Sequence, residues 1–348
     1  MSKVVPDNFR DRVIGIYTLL GAINIGAWLW AFLAFHDQPL LLGTAFLAYS
    51  FGLRHAVDAD HIAAIDNVTR KLMQDGQRPV GIGFFFSLGH STIVVIASLL
   101  VYATASVVER QIDVARELGS IIGTAISAFF LICIALINII ILRGVWKAFQ
   151  EARRGEGYSG QAPDTLIGSG MLGRLFRPLF RLLSSPWHMY PIGLLFGLGF
   201  DTATEVAILG ISAAAAAKGL SLQAMAIFPA LFTAGMTLVD TTDGVLMVGA
   251  YGWAFIKPVR KLYYNLTITF VSVVVALLIG GIEAIGLMKD QLKLSGGIWD
   301  LVGSLNDNFG ALGFMIIGVF VLSWVVSVAV YRIKGFDRLD SPVTATPE

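Results

Sequence analysis

Residues 54–62 read Arg54-His55-Ala56-Val57-Asp58-Ala59-Asp60-His61-Ile62, and Asp66 follows four residues on. These ionisable groups sit inside an otherwise apolar run from about 40 to 66. A helix needs about 20 mostly apolar residues to cross the hydrocarbon core of a bilayer, and this run is long enough. A charged side chain at the bilayer centre costs about 2.5–3.5 kcal/mol even on the lenient insertion scale. A span that accepts several must recover that cost from partners, water or a bound ion. At about 100° per residue, a continuous helix would place His55, Asp58 and His61 on one arc about 120° wide, with Arg54 inside it and Asp60 on the far side. Two imidazoles and one carboxylate would then face a common point. Either Asp60 supports that site from behind, or the helix is broken here. Two His and a carboxylate, with few competing sulfurs, suit a borderline divalent cation such as Ni2+, Co2+, Cu2+ or Zn2+. Calcium and magnesium prefer shells made of oxygen alone. The bland alternative is a buried ion-pair network that only joins helices.

The rest of the chain supports a membrane setting. Of 348 residues, 56% are hydrophobic and only 14% are charged, with a mean hydropathy of +0.74. An ordinary soluble domain carries about 25% charged residues, so one large soluble enzyme is excluded. The expected class is an all-α polytopic membrane protein, one transmembrane domain over residues 1–348. The net charge of +1 predicts no nucleic-acid partner. A single cysteine, Cys133, lies in an apolar run, which leaves no disulfide framework and no thiolate metal cluster.

Eight stretches are long and apolar enough to span, at about 13–35, 40–66, 80–104, 118–142, 189–216, 222–250, 264–288 and 310–331. If the N-terminus is cytoplasmic, the inner segments hold 19 of the 25 basic residues and the outer loops hold five, with Arg54 inside a span. That asymmetry follows the positive-inside rule and predicts both termini in the cytoplasm. The one long inner loop runs from about 144 to 186. Its first part, 151–164, reads as polar linker. Its second part, 166–183, spaces Arg174, Arg177 and Arg181 among apolar residues, and reads as an interfacial helix or a solvated basic loop.

An internal repeat is also expected. Phe51-Gly52-Leu53 recurs as Phe196-Gly197-Leu198, an offset at which Asp60 falls opposite Glu205. Phe86-Ser87-Leu88-Gly89-His90-Ser91 resembles Phe232-Thr233-Ala234-Gly235-Met236-Thr237. Spans 2–4 would map onto spans 5–7. Three is an odd number, so the two units would sit in opposite orientations, as in many secondary transporters. Other polar groups fall at matching depths. His90 is a further ligand or a packing residue. Asp201, Glu205, Asp240 and Asp243 line a transport path or neutralise Arg54. Asn24 and Trp28 read as packing, Glu283 as reaching the outer interface, and His36 and His188 as interfacial.

At residues 54–62 the sequence resembles the nickel/cobalt transporter family of high-affinity permeases. Three further motifs are similar to that family's: Phe86 to Thr92, Leu198 to Glu205, and Gly235 to Asp243. The resemblance spans the whole chain. It implies uptake of Ni2+ or Co2+ as substrate through the inner membrane by a single subunit. It also implies that His55, Asp58, Asp60 and His61 are needed for transport.

The chain carries no Gly-x-x-x-x-Gly-Lys-Ser/Thr loop, hence no phosphate-cradling ATPase domain of its own. Two drives then remain, the membrane potential or an ATPase partner; the expected mechanism is a secondary transporter driven by the first, with the bilayer and a divalent cation as expected partners and no cofactor. An intramembrane metalloenzyme is disfavoured, because His-Glu-x-x-His is absent and the five histidines are too few for a diiron oxidase. An exporter or sensor on the same scaffold is the other alternative. The loop from 144 to 186 lacks the His-rich tract common in exporters.

Overall fold

A computed structural model describes residues 8–104, 109–153, 183–199, 203–254 and 258–333. The described regular structure is helical throughout. In chain order the helices are α1 (Phe9–Phe35), α2 (Pro39–His55), α3 (Ala59–Gln74), α4 (Ile82–Thr104) and α5 (Glu109–Arg153). A 3-10 turn at Pro186–His188 leads into α6 (Met189–Phe196), then α7 (Ala203–Ala217), α8 (Leu222–Ala254) and α9 (Pro258–Leu292). The chain closes with α10 (Ile298–Asn306) and α11 (Phe309–Ile333). Most of the basic loop, 154–182, lies outside the described residues.

Six of these helices are long and apolar enough to cross a membrane, and the pair α2–α3, bent by 52° at its break, makes a seventh. The remaining expected span, 189–216, divides into α6 of 8 residues and α7 of 15. Both interruptions fall in the stretches that carry ionisable groups. At the first, Ala56, Val57 and Asp58 leave the helix, and Asp58 adopts an extended backbone (φ −66°, ψ 147°) as the N-cap of α3. The continuous second helix is thus replaced by the broken one.

The centre of the bundle is the α4·α8 contact. α4 also packs on α6 and α7, while α8 packs on α2, α3 and α1. The long pair α5·α9 flanks this centre, and α3 is enclosed by α8, α9 and α11. The outermost helices show apolar side chains outward, among them Ile25, Phe32 and Leu33 on α1 and Phe314, Leu322 and Val325 on α11. Apolar surface of that extent is what lipid would cover.

Glycine permits the closest crossings, as small residues do between membrane helices. A Cβ at Gly52 of α2 would fall on the backbone of Phe232 of α8, and one at Gly193 of α6 would fall on the backbone of Phe86 of α4. The converse contacts also match. A Cβ at Gly235 of α8 would meet the Tyr49 carbonyl and the Leu53 nitrogen, while one at Gly89 of α4 would meet the Tyr190 carbonyl and the Leu194 nitrogen. The glycine of α6 that takes the part of Gly52 is therefore Gly193, one turn before Gly197.

Two polar residues of the spans have plain structural settings. Tyr49 donates from its hydroxyl to Asn24 Oδ1 at 3.0 Å, and Trp28 packs edge-on to the Tyr49 ring, which joins α1 to α2. Glu283 does not reach the interface. It is buried between α9 and α5, where Ser127 Oγ donates to its carboxylate at 2.9 Å. That hydroxyl supplies the partner a buried carboxylate requires. Cys133 is buried, as its apolar surroundings suggested.

Candidate metal centre

The break between α2 and α3 puts His55 on the last turn of one helix and His61 on the first turn of the next. His90 arrives from the middle of α4. The three side chains are buried, and one ring nitrogen of each lies within 4.8 Å of the others. Ring centroids are 4.7 Å apart for His55–His61 and His55–His90, and 4.9 Å for His61–His90. Phe86 meets the His61 ring edge-on, and Phe232 lies beside His55, so apolar walls close two sides.

Carboxylates hold two of the imidazoles from behind. His55 Nδ1 is 2.9 Å from Asp58 Oδ2, with Thr204 Oγ1 at 3.3 Å on the same nitrogen. His61 Nδ1 is 3.3 Å from Asp240 Oδ2, which in turn accepts from Ser87 Oγ at 2.5 Å. When Nδ1–H donates to a carboxylate, the lone pair is on Nε2, and the carboxylate raises its basicity. His61 Nε2 is buried with no hydrogen-bond partner. His55 Nε2 faces His90 Nε2 at 2.9 Å, and His90 Nε2 also lies 2.9 Å from Glu205 Oε1. Glu205 Oε1 is 3.9 Å from His55 Nε2 as well. Three imidazole nitrogens thus converge from α2, α3 and α4, and a carboxylate oxygen of α7 lies against two of them. A single shared proton cannot satisfy them all, whereas one divalent ion accepts every lone pair at once.

The residues expected from the sequence are therefore split. His55, His61 and His90 face a common point, and Glu205 lies against His90 and His55. Asp58 lies behind His55, not beside it, because its backbone has left the helix. Asp240 lies behind His61. Asp60 stays near these groups, within electrostatic reach of His55, Asp58 and His61, and its buried Oδ1 has no hydrogen-bond partner. Asp243 is one turn beyond Asp240 on α8, with a buried and unpartnered Oδ2. It borders a largely apolar cavity of about 380 Å3 between α8, α9 and α11. Arg54 is exposed, and both its guanidinium and Asp58 Oδ1 face Gly310 of α11. Asp201 lies outside the described residues. His36 and His188 stand apart from the cluster, His36 with Asp37 and His188 against Trp187.

Sequence reasoning missed Ser87 and Thr204 as working parts. Ser87 is one turn before His90 in a motif already singled out, and that spacing on one helix face was the available signal.

Residues 41–330 match the family described as high-affinity nickel-transport protein (NicO). The chain is 58% identical over 337 residues to a high-affinity nickel transport protein of Cupriavidus necator, covering 97% of this chain and 95% of that one. It is 43% identical to the nickel transporter NicT of Mycobacterium tuberculosis, over 96% and 91% of the two chains. It is 36% identical to the cobalt transport protein NhlF of Rhodococcus rhodochrous, over 92% of each. No solved structure matches the chain.

Proposed function

The chain belongs to the NicO family of high-affinity nickel-transport proteins, and from that premise we propose that it takes up divalent transition-metal ions, Ni2+ before Co2+, across the inner membrane as a secondary transporter. The observation that carries this reading is the convergence of the buried His55, His61 and His90 within the bundle, with Glu205 against two of them. Those ligands are borderline in softness and match Ni2+ and Co2+ better than the hard cations. Asp58 and Asp240 orient two of the imidazoles, and Asp60 completes or balances the charge of the shell. Asp243, and on sequence grounds Asp201, extend the path away from the ligands. Arg54, at the end of α2, offsets part of the surplus negative charge. The ion gives up its water for these ligands, and the C-terminal end of α2, where partial negative charge gathers, favours it further.

The architecture we assign is eight crossings with both termini in the cytoplasm, two of them the broken pairs α2–α3 and α6–α7. Spans 2–4 and 5–7 form inverted units. The matching contacts of Gly52 with Phe232 and Gly193 with Phe86 support this pairing. Rocking of the units about the histidines then exposes the ion to each side in turn. Reporter fusions after residues 36, 218 and 348 test the arrangement: the first two are expected outside and the last inside.

The direct test is uptake of radiolabelled Ni2+ by cells expressing the chain. Uptake should fall to background in His55→Ala and His61→Ala variants that still reach the membrane. Excess Co2+ should compete better than Zn2+ or Mn2+. Normal uptake in both variants would sink the site assignment.

A further inference from the structure

α3 is a polar helix in an enclosed place. Its side chains from His61 to Met73 are buried, including Asp66, Asn67, Thr69, Arg70 and Lys71. Lys71 has strong partners, the Asp75 carboxylate at 2.7 Å and the Leu183 carbonyl at 2.6 Å. Arg70 does not. It heads the fully buried side chains by size, at 2% exposed. Its Nη2 donates to Asn67 Oδ1 at 2.7 Å, which is a neutral acceptor. The Asp66 carboxylate is 3.9 Å away, and it accepts instead from Ser272 Oγ of α9 at 2.6 Å. Arg70 Nε and Nη1 are buried with no acceptor among the described residues. A buried guanidinium ordinarily has its donors met by carboxylates or carbonyls.

Its position gives this arrangement a use. Asp243 on α8 lies within electrostatic reach of both Asp240 and Asp66. His61 meets Asp240, Asp240 and Asp66 both act on Asp243, and Asp66 lies 3.9 Å from Arg70, so these groups link the histidine cluster to Arg70 across α8 and α3. Asn67 Oδ1 also accepts from Asn138 Nδ2 of α5 at 2.6 Å, so the oxygen that holds the guanidinium is shared between two helices.

Resting on the transport reading above, we propose that Arg70 is the gate residue of this route: latched to Asn67, it blocks a divalent cation that has passed Asp243 from moving beyond Asp66, and it must swing aside for release. The gate closes by like charge, which is strongest where water is absent. It opens when α3 and α5 part at the shared Asn67 oxygen.

Purified chain in vesicles, with a nickel-sensitive dye on the receiving side, tests this. Wild-type flux comes first, since its absence would overturn the transport reading and the gate together. Arg70→Gln keeps a donor but removes the charge. Efflux of preloaded Ni2+ at zero potential should rise about tenfold, with half-saturation within about twofold of wild type, because the histidines are untouched. Arg70→Lys should restore closure. Asn67→Asp puts a charge on the latch and should act in the opposite sense, slowing flux about tenfold at unchanged half-saturation. A purely structural arginine would move flux and thermal stability down together in Arg70→Gln and Arg70→Lys alike, and that result overturns the gate. So does wild-type efflux in Arg70→Gln. If Arg70→Gln does not fold, Asn67→Asp decides, and unchanged flux there overturns the proposal.

Discussion

Asp58 and Asp240 perform one task from two unrelated elements. Each lies against the Nδ1 of a histidine, so that the opposite nitrogen faces the cluster. Removing such a partner typically lowers metal affinity by about 10–100-fold while leaving the ligand in place. Asp240→Asn is expected to fall in that range when Ni2+ binding to the purified chain is measured by calorimetry. Ser87→Ala, which takes away only the donor to Asp240, should cost less. The His55–Asp58 pair was legible in the sequence because both residues lie within one turn. His90 and Glu205 are 115 residues apart, and His61 and Asp240 are 179 apart. No spacing rule links positions that meet only through helix packing. The sequence could therefore mark these residues as costly to bury without saying which would face the ion and which would stand behind.

The break between α2 and α3 shows the same limit one level up. Ala56, Val57 and Asp58 include neither Gly nor Pro, so the only local signal for the break is Asp58, a residue type favoured at the N-cap it occupies. The neighbouring helix accommodates the break. Gly313 of α11 lies so close to the Val57 carbonyl that a Cβ there would overlap it, and Gly310 faces Asp58 and Arg54. α11 thus makes room for the backbone that leaves the helix. Gly313→Ala should push the break open. Overpacking of this kind costs about 1–3 kcal/mol, and the outcome to look for is a lowered unfolding temperature in detergent together with weakened Ni2+ binding. A Gly318→Ala substitution on the same helix meets nothing within 4 Å and serves as the control. The long helices themselves were legible, since unbroken apolar runs and the basic residues flanking them need no tertiary information.

Across the whole molecule, two crossings match in their glycine contacts, α2 on α8 and α6 on α4, and each would join the two proposed halves. If the halves rock as units, damage at either crossing should be equivalent. Gly52→Ala and Gly193→Ala are expected to slow uptake to a similar degree with the same Ni2+ affinity, measured as a fall in maximal rate. Moving one charge through 100 mV is worth about 2.3 kcal/mol, and a divalent ion gains about twice that. Collapsing the membrane potential with an ionophore should accordingly remove accumulation but not exchange. The sequence led us to expect two similar units. Their register was off by one turn in α6, because a tripeptide match carries no information about which glycine touches a neighbour. The enclosure of α3 also bears on how the chain is made. A helix so rich in Asp, Asn, Arg and Lys does not partition into lipid as it leaves the ribosome. The helices that wrap it, α8, α9 and α11, are all synthesised later. Integration in strict chain order would leave α3 without the helices that enclose it, so the third helix to be translated is expected to be among the last to settle. In a nascent chain arrested before residue 222, a cysteine placed at Thr69 should still react with a water-soluble thiol reagent, and in the finished chain it should be protected.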